Sequence, residues 1–262
     1  MADENRYGLS RRVPAGVRRE VRRRCGFGCV ICGLAYYDYE HFDPDFVDAR
    51  EHNPAGMTLL CPNCNQKRAR GRLSADTVAT ANANPKCLQQ GFASELLDFA
   101  SEPIDVKFAG VSFYDCRHLI VVNGIPILSV APPAEPGLPM RLSGIFTDDT
   151  GRVTLKIDNN RFSVNPENWD VECTGPRIRI LSARGEVALH LEMDPPNGIA
   201  IEQLNMSFGG AHLRGNSDIL ELSIREGQWN QLQQVSVARC HTGIAINVGP
   251  AAANDPYFEV EE

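Results

Sequence analysis

Residues 29–67 read CVICGLAYYDYEHFDPDFVDAREHNPAGMTLLCPNCNQK. Two Cys-x-x-Cys pairs, Cys29/Cys32 and Cys61/Cys64, bracket a segment that holds Glu40-His41, and Asn65 follows the last cysteine directly. Each pair is a knuckle that turns two thiols to one side of a tight bend, and two knuckles make a tetrahedral Zn²⁺ cage. Zinc has no redox chemistry, and four protein ligands leave no position open for substrate. Such an ion is a staple, and any chemistry belongs to the residues it staples.

Between the knuckles, residues 35–42 are rich in aromatics and read as a strand. Residues 43–56 carry loop chemistry (Asp43, Pro44, Asp48, His52, Asn53, Pro54, Gly56), and Met57-Thr58-Leu59-Leu60 is a short apolar run into the second knuckle. Pro62 then starts a helix with Asn65, Lys67, Arg68 and Arg70, ended by Gly71. Ser74 caps another helix, and Leu88, Phe92, Leu96, Leu97 and Phe99 place a further helix over 85–100. Upstream, Pro14 opens a helix through Val17 and Val21 to Gly26, its surface crowded with Arg18, Arg19, Arg22, Arg23 and Arg24. Residues 1–13 read as a flexible arm.

Composition bounds the rest. A chain of 262 residues accommodates one large domain or two ordinary ones. No apolar run reaches the roughly 18 residues of a membrane span, and the first residues lack the apolar stretch of a secretory signal. Beyond the knuckles, Cys25, Cys87, Cys116, Cys173 and Cys240 show no disulfide framework, which suits a reducing cytoplasm. The net charge of −7 is unevenly spread. Residues 1–100 carry 14 Lys/Arg against 12 Asp/Glu, and residues 101–262 carry 12 against 21. Halves of opposite sign suggest two domains with different partners.

From about Val106 the grammar changes to short β-type runs, among them HLIVVNGIPILSV, RVTLKID, RIRILS, EVALHLEM and GIAINV, separated by Gly, Pro, Asn or Asp turns. This predicts an all-β domain, sandwich or solenoid-like, over 105–262, with RVTLKID, RIRILS and EVALHLEM as candidate solenoid rungs. His118, His190, His212 and His241 share no spacing and read as structural.

The residues Cys29-Val30-Ile31-Cys32, Glu40-His41-Phe42-Asp43-Pro44 and Leu60-Cys61-Pro62-Asn63-Cys64-Asn65-Gln66-Lys67 resemble the HNH (ββα-metal) endonucleases over residues 14–74. The family pattern is acid-His-x-x-Pro on a first strand, then Leu-Cys-x-x-Cys-(His/Asn) opening a helix. The resemblance implies an α+β fold, a zinc-stapled nuclease module with flanking helices over 14–104. It implies His41 as general base, and Glu40 and Asn65 as ligands to a catalytic Mg²⁺ or Mn²⁺. Asn at the last position, where many members have His, is also similar to the HNH domains of RNA-guided nucleases, and an amide oxygen favours a hard ion. The family's middle Asn would fall at Gly56, leaving Asn53 as a candidate to pin the loop. Glu40 and His41, adjacent on a strand, point to opposite faces unless the strand ends or bulges there.

The expected activity is metal-dependent hydrolysis of DNA. Phosphate contacts are expected from Arg22, Arg23, Arg24, Lys67, Arg68, Arg70 and Arg72, and His52 is a candidate phosphate-orienting residue. The acidic β-rich half is expected to bind a regulatory protein or ligand, or to assemble a homo-oligomer. By analogy such a tethered nuclease suits defence against foreign DNA. The competing expectation is a non-catalytic zinc-ribbon adaptor that binds nucleic acid, in which Glu40 and His41 are incidental.

Overall fold

The computed structural model describes residues 4–225 and 227–249. The protein is a mixed α+β chain that divides into two compact units. The first comprises the chain up to Glu95 together with Ser163–Gly175, and the second comprises Leu96–Phe162 and the described residues from Pro176 onward. A single cut near residue 104 therefore does not separate them, because residues 163–175 lie within the β-rich sequence and pack with the first unit. Among the described residues, no helix is long and apolar enough to cross a membrane.

The first unit begins with helix α1 (Ala15–Cys25), which stops where Gly26 enters the left-handed region at φ 69°. Strands β1 (Asp38–His41) and β2 (Met57–Leu60) pair antiparallel, Glu40 opposite Thr58 and His41 opposite Met57. Helix α2 (Pro62–Ala69) follows β2 directly, so the order strand–strand–helix is present. Helix α3 (Ala75–Ala83) is capped by Ser74, whose Oγ accepts from Thr77 N–H at 3.0 Å. The single helix expected over 85–100 is not formed. Helix α4 (Lys86–Gln90) ends at Gly91, φ 80°, and β3 (Ala93–Leu96) follows. Backbone bonding explains the switch. Ser94 N–H donates to Gly33 O and Ala35 N–H donates to Ser94 O, so the chain beyond Gly91 satisfies its polar groups against the first knuckle. The expected arm also differs: Asn5 Nδ2 donates to the carbonyls of Phe46 (2.6 Å) and Ala49 (2.7 Å), fixing residues near 5 to the loop before β2.

The returning segment carries β10 (Asp170–Thr174) and docks on α1. Arg22 is the reason. Its Nε and Nη2 grip Asp170 at 2.9 and 2.5 Å, Nη2 reaches Glu172 at 2.8 Å, and Nη1 donates to the Tyr39 hydroxyl at 2.7 Å. The Arg22 and Asp170 side chains are only 4 and 5 % exposed. Burial alone would lower the Arg22 pKa, but the bonds to Asp170 and Tyr39 outweigh it and the net shift is upward. The Arg19 guanidinium lies 3.4 Å above the Trp169 ring, a cation–π contact on the same face.

The strands of the second unit are β4 (Asp105–Phe108), β5 (Val111–Val122), β6 (Ile125–Ala131), β7 (Arg141–Thr147) and β8 (Val153–Asp158), β9 (Arg161–Val164) spanning the boundary. After β10 come β11 (Arg177–Ala183), β12 (Glu186–Asp194), β13 (Gly198–Phe208), β14 (Ala211–Asn216), β15 (Ile219–Arg225), β16 (Gln228–Gln233) and β17 (Val235–Ile246). Two antiparallel runs, β5 to β8 and β11 to β16, are joined through β4, which pairs parallel to β13 and antiparallel to β5. These strands are hydrogen-bonded into one sheet. The candidate solenoid rungs are not rungs, since β8 pairs antiparallel with β7 and β11 antiparallel with β12. Asn123-Gly124 and Gly209-Gly210 supply paired positive φ for two-residue hairpin turns.

Removing one partner of a buried ion pair strands the other. We expect Asp170→Ala to destabilise the first unit by about 3–5 kcal/mol, against under about 1 kcal/mol for Glu172→Ala, whose side chain is 34 % exposed. Urea unfolding followed by Trp169 fluorescence, in a Trp229→Phe background, measures both.

Candidate metal centre and active site

The four cysteines of the knuckles converge. Their Sγ atoms all lie within 4.8 Å of one another, with Cys32 and Cys61 at 3.7 Å. A tetrahedral ion with bonds of about 2.3 Å needs sulfurs roughly 3.8 Å apart, so the set fits zinc. Local bonds explain the convergence. Cys29 N–H donates to Leu34 O and Gly33 N–H to Cys29 O, closing the first knuckle, while Val30 N–H donates to Leu59 O and ties it to β2. In the second, Cys61 caps α2 with its Sγ accepting from Cys64 N–H. The thiols cannot all ionise unaided. The Cys32 hydrogen bond pulls Cys29 down to about 5, the same bond pushes Cys32 up, and burial with the charge of Cys29 pushes Cys64 up to about 12. A divalent cation removes that conflict and releases protons as it binds.

Asn65, one residue beyond Cys64, donates through Nδ2 to Glu40 Oε1. Two residues 25 positions apart are brought into contact because β1 pairs with β2 and α2 leaves β2 through the knuckle. Burial is the largest cause raising the Glu40 pKa, the charge of Asp38 adds to it, and the Asn65 bond with the charges of Arg11 and Arg68 opposes it; the net shift is upward.

His41 ends β1 and looks to different partners. Its Nε2 lies 3.0 Å from His52 Nδ1, and His52 Nε2 lies 2.9 Å from the carbonyl oxygen of Ser10. Phe46 presents an edge-to-face contact to the His41 ring at 5.5 Å, and the Arg11 guanidinium sits 4.6 Å from the Phe46 ring. Burial lowers the His41 pKa, and the charge of His52 lowers it further. Ser10 and Arg11 lie in no motif, and nothing in their local pattern marks either as part of the site.

Gly56 is required by geometry: a Cβ there would lie 1.9 Å from the Asp43 carbonyl oxygen. The loop is pinned through its backbone, with Phe42 and Asp43 N–H both donating to Gly56 O at 3.0 and 3.3 Å. Asn53 serves locally, its Oδ1 accepting from Ala55 N–H.

The basic residues separate into two kinds. Arg22 is buried in its ion pairs, and Arg24 donates to the carbonyls of Pro54 and Met57, so these two expected phosphate contacts are structural side chains. Arg68 holds Asp45 at 2.8 Å. Arg23, Lys67, Arg70 and Arg72 are exposed. His52, expected at the phosphate, stands behind His41 with both ring nitrogens engaged.

No protein-family model, no curated protein and no solved structure matches this chain.

Protein purified without chelator is expected to hold one zinc per chain by elemental analysis, and Cys64→Ser to lose both the metal and the fold of the first unit. Gly56→Ala keeps all four thiols but forces Asp43 aside. It is expected to cost on the order of 2–3 kcal/mol with zinc content unchanged, as read by thermal melting.

Proposed function

We propose that the first unit is a metal-dependent endonuclease that hydrolyses DNA phosphodiester bonds. The observation that carries this reading is the His41–His52–Ser10 chain beside the Glu40–Asn65 pair, both built on the strand–strand–helix that the four cysteines bracket. With His52 neutral, these bonds select one tautomer of His41.

The fixing can be followed proton by proton. The Ser10 carbonyl only accepts, so His52 Nε2 carries a hydrogen. A neutral His52 then offers a lone pair at Nδ1, and His41 donates to it from Nε2. This leaves the lone pair of His41 on Nδ1, the atom that takes the proton from the attacking water. When His41 becomes cationic, its Nε2–H···Nδ1 bond to His52 becomes charge-assisted and holds the ring in place. Glu40 and Asn65 touch, so their oxygens can serve one hard ion once the amide turns to present Oδ1. Mg²⁺ or Mn²⁺ held there would supply charge stabilisation to the phosphate in the transition state. Arg11 and Arg68 act electrostatically on Glu40, which places positive charge beside the reacting group, and Arg23, Lys67, Arg70 and Arg72 are free to grip the backbone without choosing sequence.

His41→Ala is expected to lower plasmid nicking by about 10²–10⁴-fold with zinc content, fold and DNA binding unchanged. Glu40→Ala and Asn65→Ala should be partly rescued by raised Mg²⁺ or Mn²⁺, and His41→Ala should not. Wild-type nicking by His41→Ala, with a Cys64→Ser control to exclude contaminating nuclease, would refute the assignment. DNA binding without any cleavage by the wild type would favour the adaptor.

A further inference from the structure

In the second unit, strand β5 turns a corner. It is flanked on one edge by β4 over Val111–Tyr114 and by β6 over His118–Val122, and the change of partner falls at Asp115, whose φ is 52°. The burial alternation of β5 slips there, with Tyr114 and Asp115 both exposed. Strand β17 runs parallel along the other edge for the whole length of β5 and makes the same turn at Arg239, φ 53°. Where β4 and β6 part, a cavity of about 480 Å³ opens, floored by Val106, Phe113, Leu119 and Val130. Cys116 and Cys240 lie on its wall, each one residue after the turn.

These two cysteines face each other in register, and Cys240 Sγ donates to Cys116 Sγ at 3.0 Å. Directly paired strands stand about 4.8 Å apart, inside the Cα range that a disulfide spans. Closing the sulfurs to bonding distance requires a movement of about 1 Å. No other two thiols outside the metal cluster share a hydrogen bond among the described residues. Cys116 is buried, Cys240 is half-buried, and the cavity admits a small oxidant to both.

We propose that Cys116 and Cys240 form a redox-active dithiol, oxidised to a disulfide by hydroperoxides. The step balances. The Cys240 thiolate attacks the peroxide O–O bond, giving a sulfenic acid and an alcohol, or water from hydrogen peroxide. Cys116 sulfur then displaces that hydroxyl as water, leaving the S–S bond, and two thiols have lost two electrons to one peroxide. Burial, with the bond to Cys116, pushes the Cys240 thiol up to about 11, which keeps the thiolate fraction small and the reaction slow. The bond closes a loop of 124 residues and clamps β17 to β5. The inference stands independently of the nuclease reading.

The test uses the full-length zinc-loaded protein, treated with one to ten equivalents of hydrogen peroxide, alkylated, digested and weighed. The expected product is a Cys116–Cys240 cross-linked peptide, two hydrogens lighter than the reduced pair and reversed by dithiothreitol. Cys25, Cys87 and Cys173 should remain alkylatable. Oxidation should raise the thermal midpoint of the second unit by roughly 10 °C, and Cys116→Ser and Cys240→Ser should each abolish both changes. Because a serine could disturb the sheet, the wild-type cross-link and its reversal carry the decision. Cys240 driven to sulfinic acid with no cross-link, or a cross-link between other cysteines, would overturn the proposal.

Discussion

Four thiols meeting within 4.8 Å is the constraint on which the first unit depends. An ion that binds such a cage contributes on the order of 10 kcal/mol to folding. That magnitude suits a region whose central strands, β1 and β2, are only four residues long. Val21, Cys25, Val30, Tyr37, Met57, Leu59, Leu60 and Val78 pack around the cage, which makes it the centre of a small core. The positions of the chemical groups follow from it. Asn65 is one residue from Cys64 and Glu40 is on the strand paired with the one that enters the second knuckle, so their separation is set by the cysteine cluster.

A helix studded with arginine reads from sequence as a phosphate-binding surface, and α1 shows why that reading mixes two populations. Successive helical residues are about 100° apart, so Arg22 and Arg23 cannot share a role. Arg22 points to the core and needs anions there, which Asp170 and Glu172 supply from a segment nearly 150 residues away. Arg23 stays in solvent. Arg24 uses its fork to donate to two carbonyls at the start of β2, those of Pro54 and Met57. Arginine is suited to both tasks because its planar guanidinium presents five donors in a fixed fork.

What could be read from the chain was what is local. The knuckles, the acid–histidine pair, Asn65, the Ser74 cap and the α+β division all lie within a few residues of their own signals. What could not be read was what the chain brings back from afar. The return of 163–175 depends on Asp170 meeting Arg22. Helix signals over 85–100 were overridden by pairing with Gly33 and Ala35. Cys116 and Cys240 become partners only through a parallel strand pair that no spacing announces. Gly56, read from sequence as loop chemistry, is the residue that lets the backbone approach closely enough to pin the loop.

The amino-terminal segment acquires a meaning from the same geometry. His41 can hold its lone pair on Nδ1 only while His52 accepts at its own Nδ1, and His52 does so only while a carbonyl faces its Nε2. That carbonyl belongs to Ser10. Its place is secured by Asn5, whose side-chain amide spans the Phe46 and Ala49 carbonyls and whose Oδ1 accepts from Tyr7 and Leu9 N–H. The same Phe46 packs edge-to-face on the His41 ring. A side chain at residue 5 thus bears on the protonation pattern at residue 41 through two routes, one by hydrogen bonds and one by ring contact. The described residues before α1 belong with the proposed site for that reason.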